Sequence, residues 1–239
     1  MKKIILDPYL VNGSILIFHG KQDASFKDDI LHSSLAAHLA TEAVSTAPSE
    51  TWSLYKDNLS NFNWITNSDH NRTLSLSDKS LLDIVFEASS PTLSEDEQEA
   101  LSVVCTLLRE FPHDAEVIKA LTERFDSDAV RLSPETTDDT EQATHCAATL
   151  TLIREDKTLF TLRVAFKTTH ALDIKLLNEP VLQTIDDGEI NAWLLSSTLD
   201  EAFYKMMQQE IDKYIEEYLD KIIPIQTPPP TVEKALTEN

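Results

Sequence analysis

The sequence predicts an α+β protein: antiparallel β-sheet packed by helices, with a helical hairpin in the middle and a long C-terminal helix. Three observations carry that expectation. The runs ATLTLI (148–153) and LFTLRVAF (159–166) alternate with period two about a polar Arg-Glu-Asp-Lys turn. Residues 94–125 and 198–222 instead repeat their apolar side chains every three to four positions. Strand signals also come in neighbouring runs rather than in strict alternation with helices, which disfavours a parallel α/β fold.

Taken in order, Val11 to Phe18 reads as a strand. Asp23 or Ser25 is placed to cap a helix over about 24–44, whose apolar set runs from Phe26 and Ile30 through Leu35 and Leu39. Ala47-Pro48-Ser49 ends it. The aromatic segments TWSLY, FNWIT and RTLSL follow, separated by Asp57-Asn58 and by Asn67-Ser68-Asp69. Aromatic-rich runs between turn residues predict an antiparallel meander. Residues 78–88 return to helical spacing through Leu81, Leu82, Val85 and Phe86.

Ser94 and Glu97 stand three apart, a capping box that opens a helix to about Glu110. Pro112 starts a second helix with the stripe Val117, Ile118, Leu121 and Phe125. Residues 133–142 lack large apolar side chains and read as a loop. After the hairpin, ALDIKLL (171–177) is a candidate third strand. Thr198 and Glu201 suggest another capping box, opening a helix with a broad apolar face from Leu199 and Phe203 to Leu219 and Ile222. Organisation follows these breaks: an N-terminal α+β lobe over 1–90, then the hairpin, sheet and last helix over 91–223, either separate or one domain with 1–90. Residues 224–239 form a proline-led tail expected to be disordered.

Composition excludes several functions. The chain of 239 residues carries 41 acids against 20 bases, a net charge of −21. Such a chain is repelled by phosphate backbones and by anionic membrane surfaces, so neither direct nucleic-acid nor membrane binding is expected. The excess is uneven: residues 78–141 hold 17 acids and 5 bases, a net of −12. Only three glycines occur, Gly13, Gly20 and Gly188, too far apart for a phosphate-cradling loop. No cofactor or metal is expected: the seven histidines form no HExxH, HxH or Cys-His zinc pattern, and no EF-hand spacing occurs. His32 and His38 are six apart and fall on different helix faces. Cys105 and Cys146, without a CxxC, read as reduced thiols, and the setting as cytoplasmic.

The stretch Ile15–Phe26, ILIFHGKQDASF, resembles the strand and loop that deliver the triad acid in α/β-hydrolases. The resemblance implies Asp23 as that acid. In that family the nucleophile precedes the acid on a Gly-x-Ser-x-Gly turn. Only 22 residues precede Asp23, and the sequence has no such turn. The stretch therefore reads as a strand, a bend at Gly20 and a helix cap. Ser68-Asp69-His70-Asn71-Arg72 is a dense polar cluster with the composition of a hairpin turn. An enzyme reading would draw its site from His19, Asp23, Asp69, His70 and Arg72.

The leading expectation is a non-enzymatic, acidic protein-interaction factor of adaptor, inhibitor or immunity type with a basic protein partner. Its expected contacts are Glu95, Asp96, Glu97, Glu99, Asp138, Asp139 and Glu141. Two alternatives stand beside it: a hydrolase-like enzyme around His19 and His70, and a structural subunit that assembles, as a homodimer for example, through the C-terminal helix.

Overall fold

A computed structural model describes residues 5–44, 48–75, 80–90, 92–112, 114–127, 130–131, 144–168 and 189–226. Their strands are β1 (Leu6–Val11), β2 (Ser14–His19), β3 (Trp64–Ser75), β4 (Val130–Arg131), β5 (Thr144–Ile153), β6 (Thr158–Thr168), β7 (Glu189–Leu199) and β8 (Ile222–Pro224). The helices are α1 (Ala24–Val44), α2 (Pro48–Asn61), α3 (Leu81–Ser89), α4 (Glu95–Glu110), α5 (Glu116–Ser127) and α6 (Glu201–Ile215). A 3-10 helix continues α6 over Glu216–Lys221.

The strands form one mostly antiparallel sheet in the order β3-β7-β6-β5-β2-β1-β8, with β4 sharing the edge of β5. Its parallel pair joins β2 to β5, with Ile15 opposite Leu150 and Phe18 opposite Ile153. The architecture is α+β, as expected, and the sheet contains strands from both sides of Ser90.

Helices cover both faces of the sheet. On one face α3, α4 and α5 pack Leu81, Ile84, Leu101, Val104, Leu108, Ile118 and Leu121 onto Ile15, Ile17, Leu150, Leu152, Leu162 and Leu194. On the other, α1, α2 and α6 pack Phe26, Ile30, Leu35, Trp52, Leu59, Ile211 and Ile215 onto Leu16, Phe18, Leu159 and Leu195. Successive residues of a strand point to opposite faces. Leu194 and Leu195 therefore belong to different cores, and each contributes roughly 1.5–3 kcal/mol if fully buried. Helix α1 lies between α2, α6 and the sheet and is buried around most of its circumference.

Several local expectations give way. The expected strand over 11–18 holds from Ser14 as β2, but Asn12 (φ 48°) and Gly13 (φ 79°) turn the chain before it, and Val11 ends the preceding strand β1. Asn-Gly is the preferred pair for a two-residue hairpin turn, since both positions need positive φ. There is no meander over 51–75. TWSLY lies in α2, and the stretch from Trp64 of FNWIT to Ser75 of RTLSL is continuous as the long edge strand β3. Trp52, Tyr55 and Leu59 carry helical spacing, all buried against α1 and the sheet, and that outweighs the β-propensity of the aromatics. Asn67-Ser68-Asp69 is no turn; the register slips there, between Thr66 and Ser68, in a strand that continues.

The cap of α6 is Asp200, whose carboxylate accepts the Phe203 N–H at 3.2 Å, while Thr198 belongs to β7, which Leu199 closes. The regular helix ends at Ile215 rather than near Ile222. The expected box at the start of α4 is present, with Ser94 Oγ accepting from Glu97 N at 3.3 Å and Glu97 Oε2 accepting from Ser94 N at 2.8 Å. The loop 133–142, the candidate strand 171–177 and the tail from residue 227 lie outside the described residues.

Candidate functional site

The five residues of the enzyme reading do not converge. His19 ends β2 and Asp23 precedes α1, where its backbone carbonyl accepts Lys27 N–H at 3.0 Å. Asp69, His70 and Arg72 lie on β3, beyond β5, β6 and β7. Four strand spacings of about 4.8 Å put β2 and β3 roughly 19 Å apart. Neighbours on β3 also diverge. His70 and Arg72 pair with Leu194 and Ala192, on the α3 side, whereas Asp69 pairs with Leu195 on the α2 side. Asp69 there accepts an ion pair from Lys56 of α2 at 2.5 Å. Among the described residues no group of three His, Cys, Asp or Glu side chains gathers as a metal site.

The acids do gather, on the outer surface of α3, α4 and α5. Helix α4 exposes Glu95, Asp96, Glu99 and Glu110, and α3 exposes Asp83 and Glu87. Asp114, Glu116 and Glu123 are exposed on and before α5, and among the described residues the exposed cations of this layer are Arg109 and Lys119. The helix periodicity that turns Leu101, Val104 and Leu108 onto the sheet turns these carboxylates to solvent. Glu95 and Asp96 also sit where the α4 N-terminal dipole favours negative charge.

Glu97 departs from the expected contact set because it points inward. Its carboxylate caps α4 and receives Arg154 Nε at 2.6 Å and Nη2 at 3.0 Å. Burial works against its charge, but the hydrogen bonds from Arg154 and Ser94 win and hold its pKa below the ordinary value. Asp138, Asp139 and Glu141 lie outside the described residues.

Sequence reasoning missed a buried polar layer on the opposite face of the sheet. Thr149, Thr151, Thr161, Arg163 and Ser197 project there from β5, β6 and β7, all buried. Thr151 and Thr161 meet through their hydroxyls at 3.0 Å. Above them Trp64 Nε1 donates to Ser33 Oγ at 2.9 Å. His38 of α1, 2% exposed, stacks on Tyr55 with ring centroids 4.5 Å apart. Its Nε2 has no hydrogen-bond partner among the described residues. Burial, reinforced by Arg124, Arg163 and Lys221, holds its pKa well below the usual histidine value. The alternation of Thr with Leu along 149–162 was the available signal.

The same side carries an exposed apolar row. Phe203 is 60% and Met206 79% exposed on α6, and Tyr214, Tyr218 and Leu219 are exposed beyond them. The broad face expected of this helix thus divides: Tyr204, Ile211 and Ile215 are buried, and much of the remainder faces solvent. Among the described residues no helix is long and apolar enough to cross a membrane.

No protein-family model and no curated protein matches the sequence. Among solved structures the chain is similar to a delta-endotoxin, at 12% identity and a TM-score of 0.41, covering 77% of this chain and 80% of that one. It is also similar to the activated Cyt2Ba monomer from Bacillus thuringiensis subsp. israelensis, at 14% identity and a TM-score of 0.34, covering 77% and 96%. The Evf virulence factor aligns at 12% identity and a TM-score of 0.35, covering 91% and 85%. Likenesses this distant carry no activity over to the chain.

Proposed function

We propose that the protein is a non-enzymatic, cytoplasmic interaction factor of adaptor, inhibitor or immunity type that docks a basic protein surface on the outer side of α3, α4 and α5. The observation that supports this reading is the exposed carboxylate layer, opposed there by Arg109 and Lys119. Glu95, Asp96 and Glu99 form its centre, and Asp138, Asp139 and Glu141 extend the proposed contact set; Glu97 acts as a structural strut. The layer rests on an apolar core that holds its helices in place, and Asp83 of the layer also caps α3 by accepting from Ser80. The spread of the hydrolase-like residues across the sheet weighs against the enzyme alternative.

The test is a salt-gradient elution of partners captured on the immobilised protein, repeated with E95Q/D96N/E99Q. Exposed charges are screened over about 10 Å at 0.1 M salt, so a specific basic partner elutes at moderate salt and is lost from the triple variant. Retention that ignores both salt and the substitutions refutes the proposal.

A further inference from the structure

The geometry points to a second docking surface, along α6 and its 3-10 extension, for a cationic amphipathic helix. It lies on the opposite side of the sheet from the acidic α3–α5 layer, so it stands independently of the function proposed above.

Tyr204, Ile211 and Ile215 fix the inward direction of α6. At 100° per residue, Phe203, Met207, Glu210 and Tyr214 fall in one row about a quarter-turn away from it, with Met206 beside them. Phe203 to Tyr214 spans about 17 Å, three turns of a helix. Phe203, Met206 and Tyr214 are exposed although large and apolar, and Met and Tyr suit an adaptable contact.

Charge selects the occupant. Glu210 lies within the row, and Glu216, Glu217 and Asp220 are exposed at its C-terminal end. Lys205 is committed to the buried carboxylate of Asp29 at 2.7 Å, and half-buried Lys221 to Asn12 Oδ1 at 3.1 Å and the face of Tyr218, which among the described residues leaves Lys213 as the exposed cation beside the row. An apolar row rimmed by carboxylates complements a helix with an apolar stripe flanked by Lys or Arg. A second copy of this chain packed with its α6 parallel would bring like charges together at the C-terminal end.

Fluorescence anisotropy with a labelled amphipathic Leu/Lys helical peptide tests this, against the same peptide with Glu in place of Lys. The Leu/Lys peptide binds the full chain, and binding weakens at least about tenfold in F203A/M206A/Y214A, whose side chains lie largely outside the core. E210K/E217K reverses the preference toward the Leu/Glu peptide. Equal binding of both peptides, binding unchanged in the triple variant, or no binding of the Leu/Lys peptide overturns the inference. Light scattering that shows a dimer abolished by the triple variant assigns the surface to a second copy, and also overturns it.

Discussion

Arg154, in the turn between β5 and β6, clasps Glu97 at the start of α4 through two hydrogen bonds, at 2.6 and 3.0 Å. The same guanidinium donates to Thr92 O at 2.8 Å, and the Arg154 carbonyl accepts Gln22 Nε2 at 2.6 Å. One turn residue thus ties the central hairpin to the acidic helical layer and to the entrance of α1. Arg154→Ala leaves a mostly buried carboxylate without its cation and is expected to lower stability by about 2 kcal/mol, read from the urea midpoint. The depressed Glu97 pKa sets the sign with pH. Its contribution is full above the unfolded value near 4.5 and disappears as pH falls toward the lower folded value. In Glu97→Gln that part of the acid limb flattens. An unchanged acid limb refutes the assignment.

His38 gives a second pH dependence, in a different window. Its folded pKa lies well below the ordinary 6.5, so below that value the unfolded chain binds a proton the folded one refuses. Stability is full above about pH 6.5 and declines below it, by up to ~1.4 kcal/mol per pH unit, until the folded pKa is reached. His38→Phe keeps a ring against Tyr55 and is expected to lose this slope. Chemical denaturation across the range decides it; an identical slope in the variant assigns the effect elsewhere.

Gly13 combines positive φ with close approach. A Cβ there would collide with the Cβ and Cγ of Arg124, a buried side chain that is ion-paired with Glu42. Gly13→Ala therefore strains the β1–β2 turn and displaces α5, and is expected to cost about 2–4 kcal/mol. A thermal midpoint within a degree or so of the parent protein contradicts this.

Cys105 is a free thiol buried in α4, and burial pushes its pKa up to about 12. At about pH 8 almost none of it is thiolate, and the reagent has no access. Mass spectrometry after alkylation should find Cys105 unmodified in the native protein and modified in denaturant. Rapid native labelling would show that α4 opens readily.

Legibility in the sequence followed how many faces an element buries. The β5–β6 hairpin showed its period because Thr and Leu alternate there, and α4 showed its start through Ser94 and Glu97. Strand β7 gave no such signal. Its Ala192 and Leu194 enter one core and Trp193 and Leu195 contact the other, so apolar residues run on without alternation. Helix α2 was masked by aromatics that also favour strands. The acidic layer was visible as composition, whereas the inward turn of Glu97 depends on Arg154, far off in sequence. His38 looked like an ordinary helical histidine until Tyr55 was packed beside it.

The parallel contact between β2 and β5 also dictates the timing of folding. Ile15 must wait for Leu150, and β3 finds its neighbour only when β7 is made. A nascent chain emerging from the ribosome therefore carries the β1–β2 hairpin with an unsatisfied border until Leu150 and its neighbours have been made. Contacts so remote along the chain slow closure of the sheet, and during that interval the unpaired borders are open to wrong partners. The negative charge concentrated in residues 78–141, between those partners in the chain, keeps such incomplete chains apart by mutual repulsion.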